Sequence, residues 1–128
     1  MSYRWVDHTA EVELHVEAAS QEQVLEEAMK AVAELFDGGS GPPETRPVRV
    51  EARDRGALLV QWLEELVFLA ETERFVPEHA EIILSEVLDA TVHGRIGEPR
   101  PLVKAVTYHG LEFEPADGGW RAKVVLDV

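Results

Sequence analysis

Acidic groups and an imidazole are concentrated near the start of the chain, in the segment Asp7-His8-Thr9-Ala10-Glu11. Carboxylates and imidazoles transfer protons, so this composition suits acid–base chemistry. The same residue types are common in turns, where Asp and Thr side chains accept hydrogen bonds from nearby backbone amides. The spacing alone therefore leaves a capped turn and a functional cluster both open.

A second group of carboxylates stands at the end of the sequence, where Asp127 precedes Val128 and its α-carboxylate. Ca²⁺ and Mg²⁺ prefer oxygen ligands, so these two carboxylates could hold a hard divalent cation with a third ligand from elsewhere. A frayed strand end is the alternative interpretation. Because the preceding strand pattern is apolar up to Leu126, we expect the sheet to hold this terminus.

A third segment contains a basic residue together with aromatic side chains and reads Lys104-Ala105-Val106-Thr107-Tyr108-His109. A strand here would place Lys104, Val106 and Tyr108 on one face, where Lys104 could balance a nearby carboxylate. A solvated lysine is the more common case. An acid–base enzyme, such as a small hydrolase or isomerase using Asp7, His8 and Lys104, is therefore one functional hypothesis.

Several familiar kinds of site are missing from the sequence. The chain has no cysteine, which excludes disulfides, zinc–thiolate sites and cysteine nucleophiles. Its glycine pairs lack the strand–glycine–helix context of phosphate-binding loops. None of its five histidines lies four residues from another, as a helical zinc pair requires.

Charge limits the partners that the chain can bind. The 128 residues include 25 acidic and 12 basic side chains, a formal net charge of −13. Such a chain should be repelled by nucleic acids and anionic membranes, and it suits a basic protein surface or hard cations, although acidity also serves solubility. The first residues lack the apolar stretch of a signal peptide, and no apolar run approaches roughly 20 residues, so we expect a cytoplasmic protein.

The first half of the sequence alternates strand and helix patterns. Residues 11–18 alternate apolar and polar side chains, as in a half-buried strand. Ser20 then offers a helix N-cap with Gln23 in capping-box position. We expect the helix to stop at residues 37–39 and a proline-rich loop to occupy residues 40–47. The apolar face of this helix comprises Val24, Leu25, Ala28, Met29, Val32, Leu35 and Phe36.

A second strand and a second helix follow. Residues 48–52 alternate again, and Asp54 can cap a helix with apolar spacing over four turns. Strand patterns then cover residues 80–84 and 87–92, followed by a predicted loop over residues 94–101.

The last third of the chain reads as strands joined by short connections. Residues 103–109 are rich in β-branched and aromatic side chains, residues 117–119 read Asp-Gly-Gly, a hairpin signal, and residues 120–126 form the last strand. We therefore predict an α+β fold, a mostly antiparallel sheet with two main helices packed on it, and one domain over residues 1–128.

The three chemistry-bearing segments, in this order, resemble the archease family. That family's pattern reads Asp-His-Thr-Ala-Asp near the start, Lys-Ala-(Val/Ile)-Thr-Tyr late in the chain, and a hydrophobic-Asp-hydrophobic ending. The likeness covers nearly the whole chain, and the combination is more specific than any one segment. It implies an archease-like fold and a protein that is not itself an enzyme.

The resemblance also implies a partner. Archeases act as protein cofactors of the RtcB-type RNA ligase, which seals RNA ends in tRNA splicing and repair, so the resemblance implies such a partner here. The expected function is to promote guanylylation of that ligase by GTP and its repeated turnover, without direct binding to nucleic acid. A chaperone-like binding module without a metal is a further alternative.

A divalent cation site is the third implication of the resemblance. By position, its ligands would be Glu11, Asp127 and Val128, with Asp7, His8 and Lys104 as supporting residues. The family binds calcium in crystals, and Mg²⁺ or Mn²⁺ would also suit such ligands. Glu11 stands where the family pattern has Asp, so its carboxylate lies one methylene farther from the backbone.

Overall fold

The computed structural model describes residues 2–8, 11–36, 39–98 and 103–128, apart from the side chains of Asp7 and His8. Seven strands and two helices follow one another along these residues. In chain order they are β1 (Ser2–His8), β2 (Glu11–Ala18), α1 (Gln21–Phe36), β3 (Pro43–Glu51), α2 (Arg55–Glu73), β4 (Phe75–Leu84), β5 (Val87–Ile96), β6 (Ala105–Ala116) and β7 (Gly119–Asp127).

The strands form two antiparallel sheets. One has the order β1-β2-β7-β6, and the other has the order β3-β5-β4. The predicted α+β class, with antiparallel strands and two helices, is confirmed. The division into two sheets was not predicted, because alternation of side chains identifies strands but not their partners.

Both helices begin at the residues that the sequence indicates. Ser20 Oγ accepts a hydrogen bond from the Gln23 amide at 3.2 Å, and Gln23 Oε1 accepts one from the Ala19 amide. The Asp54 carboxylate accepts from the Ala57 amide at 2.8 Å at the start of α2. The predicted stop of α1 falls largely on residues 37–38, which lie outside the described residues.

The core lies where the helices meet the sheets. Helix α1 contacts β2 of one sheet and β4 of the other, and α2 contacts β6 as well as β3 and β4. Trp62 of α2 is fully buried, and its Nε1 donates a hydrogen bond to the Leu25 carbonyl of α1 at 2.9 Å. This bond joins the two helices across the core. Neither helix in the described part of the chain is long and apolar enough to cross a membrane.

Strand β1 was missed by the sequence prediction. The segment that the pattern placed just before the first strand is itself a strand, and Tyr3 and Trp5 pack against the core. It pairs with β2 along its whole length. Its two aromatic residues are too few to give a clear alternation. The backbone of Asp7 and His8 belongs to β1, whereas residues 9–10 are outside the described set.

The loop predicted over residues 40–47 is wrong from Pro43 onward, because β3 begins there. Pro43 and Pro47 lie in this strand, which is at the edge of its sheet. An edge strand tolerates proline because an amide on its free side has no ladder partner to lose.

Strand β4 begins at Phe75 instead of near residue 80. Its register with β5 shifts between Pro77 and His79. Proline is tolerated at such a bulge and on an edge strand, and β4 is the other edge of this sheet.

The loop predicted over residues 94–101 also starts too early, because β5 continues to Ile96. Gly94 is part of that strand, and a Cβ there would lie 2.2 Å from the Val76 carbonyl oxygen. This glycine allows close backbone approach rather than a turn. Residues 99–101 are outside the described set.

The final hairpin agrees with the prediction. Gly118 has a positive φ of 71° in the turn between β6 and β7. One face of β7 is directed into the core, with Ala122, Val124 and Leu126 buried.

Replacing Trp62 by Phe should lower the free energy of unfolding by about 2 kcal/mol, because the variant loses a buried hydrogen bond and part of a large side chain. Urea denaturation measures this loss. The control is Trp120→Phe, a half-buried tryptophan, which should cost less than about 1 kcal/mol. Equal losses in the two variants would contradict a central role for Trp62.

Candidate functional site

The pairing of β2 with β7 places Glu11 directly opposite Asp127. Cross-strand partners in an antiparallel sheet project to the same face, with Cα atoms roughly 5 Å apart. β1 and β6 extend this row on both sides, because His8 is opposite Glu11 and Ala105 is opposite Asp127. Segments from the two ends of the sequence therefore meet in one cross-strand row.

The backbone of Lys104 is hydrogen-bonded to Asp127 of this cross-strand row. Its amide donates a hydrogen bond to the Asp127 carbonyl at 2.7 Å. Its side chain is exposed and lines a surface depression together with Glu64 and Glu71 of α2. The Lys104 backbone thus helps to hold the end of β7 in place.

The sheet holds the end of β7, so the alternative of a frayed chain end is wrong for the described residues. β7 remains paired up to Asp127, and the partly buried Val128 packs against the core. The strand end is therefore ordered by pairing on both sides, with β2 and with β6.

An ion-pair network lies on the same face as Glu11. Lys123 Nζ is 3.0 Å from Glu112 Oε2 and 4.0 Å from Glu13 Oε1. His15 Nε2 is 3.6 Å from that same Glu13 oxygen. The hydrogen bond and the charge of Lys123 lower the pKa of Glu112. Lys123 thus offsets part of the negative charge next to the cross-strand row.

A bulge of three extra residues in β6 brings His109 to the sheet face that carries Glu11. Between the pairs Thr107–Val125 and Glu112–Lys123, β6 advances five residues and β7 advances two, so β6 holds three extra residues. Gly110, with a φ of 64°, lies in this bulge. A cavity of about 180 Å³ results, lined by Glu11, Glu13, His109, Gly110, Lys123 and Val125.

Local sequence patterns indicate no role for Glu13 or Lys123, and they place His109 only at the end of the Lys104–His109 segment. The one local signal for the bulge was a glycine inside a strand pattern, since such a glycine often marks an irregular ladder. His109 and Glu11 line the same cavity because distant strands pair, which no local pattern reveals.

The donor set suits a hard cation. Glu11 and Asp127 supply carboxylate oxygens from one face, and Val128 would add its α-carboxylate at the adjacent position. Within the part of the chain that the structure describes, no three His, Asp or Glu side chains form a metal-binding group. A third ligand would therefore be the α-carboxylate of Val128 or a side chain outside the described set.

Two of the supporting residues are described only by their backbone. His8 is opposite Glu11 and Asp7 is opposite Val12, whereas the side chains of both lie outside the described residues. The acid–base arrangement of Asp7, His8 and Lys104 therefore stays a prediction.

Replacing Lys123 by Met should raise the pKa of Glu112 toward its ordinary value of 4.5, because the lowering depends chiefly on that ammonium group. A carboxyl-detected ¹³C NMR titration measures the change. Because the pKa of Glu112 is lower in the folded than in the unfolded state, the ionised carboxylate stabilises the fold at pH values above its unfolded-state pKa. This stabilisation is lost as the pH falls through the pKa of the folded state. The stability difference between wild type and variant should therefore shrink in acid.

The matched control is Lys30→Met, which removes a lysine paired with Glu26 at 3.5 Å on α1. This variant should leave the titration of Glu112 unchanged. An unchanged Glu112 pKa in Lys123→Met would show that the ammonium group does not govern this carboxylate.

Comparison with known proteins identifies relatives over the whole chain. The sequence model of the Archease protein family matches residues 3–128. A "Protein archease" from Methanopyrus kandleri is 34% identical over 140 residues, which cover 100% of both chains. The "Protein archease" from Archaeoglobus fulgidus is 32% identical over 137 residues, again covering 100% of both. These relatives carry the name archease rather than the name of an enzyme.

Solved structures share the fold. The solution structure of protein 1598 from Methanobacterium thermoautotrophicum superposes with a TM-score of 0.78 at 30% identity, covering 98% of each chain. A crystal structure from Thermotoga maritima, described as an archease and possible chaperone, gives a TM-score of 0.72 at 23% identity, covering 96% of this chain and 94% of that one. With a family match over residues 3–128 and relatives more than 30% identical over the whole chain, this chain belongs to the archease family.

Proposed function

We propose that this protein is a non-catalytic activator of an RtcB-type RNA ligase in tRNA splicing and RNA repair. It would promote guanylylation of the ligase by GTP and repeated turnover. Membership of the archease family supports this role, and the observation that carries it is the opposition of Glu11 and Asp127 across β2 and β7.

Glu11, Asp127 and Val128 form what we call the acidic tip. In the proposed mechanism the carboxylates of Glu11 and Asp127 hold a divalent cation, Ca²⁺, Mg²⁺ or Mn²⁺, with the α-carboxylate of Val128. Such a cation supplies positive charge that can order phosphate oxygens. The sheet register fixes the separation of the two side chains, and the hydrogen bond from Lys104 to the Asp127 carbonyl holds the strand end.

Charge supports a protein partner over a nucleic acid. The formal net charge of −13 opposes approach to RNA or to an anionic membrane. A nucleotide site of a ligase must be basic to bind GTP phosphates, so an acidic tip is attracted to its surroundings. Direct RNA contacts would therefore be made by the ligase, and this protein would act in the cytoplasm beside it.

The test measures guanylylation of a purified RtcB-type ligase from the same organism by GTP at limiting metal, with and without this protein. The variant Asp127→Asn should reduce the stimulation by roughly tenfold or more, because it removes a charged ligand with little change in volume. Glu11→Gln should have a similar effect. Glu11→Asp keeps the charge and should retain most of the stimulation, since Ca²⁺ geometry is permissive.

The matched control is Glu17→Gln, which removes a carboxylate from the other end of β2, roughly 20 Å from Glu11. It should stimulate like wild type. Circular dichroism confirms that each variant is folded. Full stimulation by a folded Asp127→Asn variant would overturn the role of the acidic tip, and no stimulation by wild type would overturn the proposed function.

A further inference from the structure

Two aromatic side chains are exposed together beside helix α2. Phe68 on α2 is 53% exposed and Tyr108 on β6 is 50% exposed. Both line one open depression of about 620 Å³, which is also lined by Arg49, Val50 and Glu51 of β3. Exposed aromatic groups that share a depression are typical of surfaces that bind another molecule.

The rim of this depression is acidic. Gln61, Glu64, Glu65 and Phe68 recur at helical spacing on the outer side of α2, and Glu51 faces them from β3. Arg49 also lines the rim, but it is bound by Glu51 at 2.9 Å and by Asp89 at 3.6 Å. The surroundings of the two rings therefore carry a net negative charge.

A second depression, of about 390 Å³, lies against the other side of Phe68. Val67, Val103 and Val106 contribute apolar groups to it, and Glu64 lines both depressions. Lys104 also lines it, and the Lys104 amide binds the carbonyl of Asp127. The two depressions, which we call the α2 groove, thus extend along α2 to the residue whose amide holds the end of β7.

We propose that the α2 groove is a docking surface for a basic segment of a protein partner. An apolar side chain of that segment packs against Phe68 and Tyr108, and its Lys or Arg residues pair with Glu51, Glu64 and Glu65. Charge complementarity selects this occupant. A second copy of this chain would bring a formal net charge of −13 to an acidic surface and would be repelled.

The partner that supplies the segment is the ligase of the proposed function, and in this respect the inference rests on that proposal. The first experiment measures the Kd of the purified ligase for wild type, Phe68→Ala and Ile83→Ala by calorimetry. Ile83 on β4 is 74% exposed and lies outside the groove, so it is a matched control. Phe68→Ala should weaken binding by about tenfold or more, and Ile83→Ala by less than about twofold.

The outcomes separate the two proposals. If the wild-type protein stimulates ligase guanylylation and Phe68→Ala binds the ligase with an unchanged Kd, the groove is not the docking surface. The activator role then remains intact. Absence of any ligase binding by wild type overturns the activator role. In that case the groove is tested with a probe that does not involve the ligase.

That probe is the peptide acetyl-Lys-Arg-Leu-Lys-Arg-Leu-amide, titrated into ¹⁵N-labelled protein. Amide shifts should concentrate around Phe68 and Tyr108, and they should diminish in Phe68→Ala and in the double variant Glu64→Gln/Glu65→Gln. Shifts spread evenly over the acidic surface, and unaffected by Phe68→Ala, would overturn the proposal. So would a dimer in sedimentation equilibrium that Phe68→Ala dissociates, because the occupant would then be a second copy.

Discussion

Pairing between β2 and β7 is the constraint on which the candidate site depends. Leu14 is opposite Val124 and Val16 is opposite Ala122, and all four side chains are buried in the core. Because side chains alternate between faces, this register leaves the odd-numbered pair of Glu11 and Asp127 on the other face. A slip of one residue would expose the apolar side chains and separate the two acids. The free energy of core packing therefore also fixes the geometry of the acidic tip.

Strand β6 connects the two surfaces that we assign to the partner. The residue just before it, Lys104, binds the Asp127 carbonyl, and Tyr108 lines the α2 groove four residues later. An extended segment of that length spans roughly 13 Å. Because α2 packs on the core face of this sheet and Glu11 and Asp127 project from the other face, a partner that engages both surfaces would have to extend around the end of β6 and β7. The net charge of −13 makes both contacts favourable for a basic surface and unfavourable for RNA.

Local signals in the sequence predicted the helices well and the strand edges poorly. Ser20 and Asp54 cap their helices as expected, because capping depends on residues close in sequence. The prolines of β3 suggested a loop, because the sequence does not show that this strand is at a sheet edge. The opposition of Glu11 and Asp127 needs long-range pairing, so spacing alone left it open and only the family resemblance indicated it. The place of His109 in the β6 bulge had no comparable signal.

The central claim is that Glu11 and Asp127 act as one cation site. The most direct measurement is a Ca²⁺ titration in which ¹³C NMR follows the side-chain carboxyl groups of both residues. We expect both signals to shift along one binding curve with one ion per chain, whereas the Glu17 carboxyl signal stays constant. Shifts of Glu11 and Asp127 along separate curves, or similar shifts of Glu17 and other surface carboxylates, would contradict a shared site.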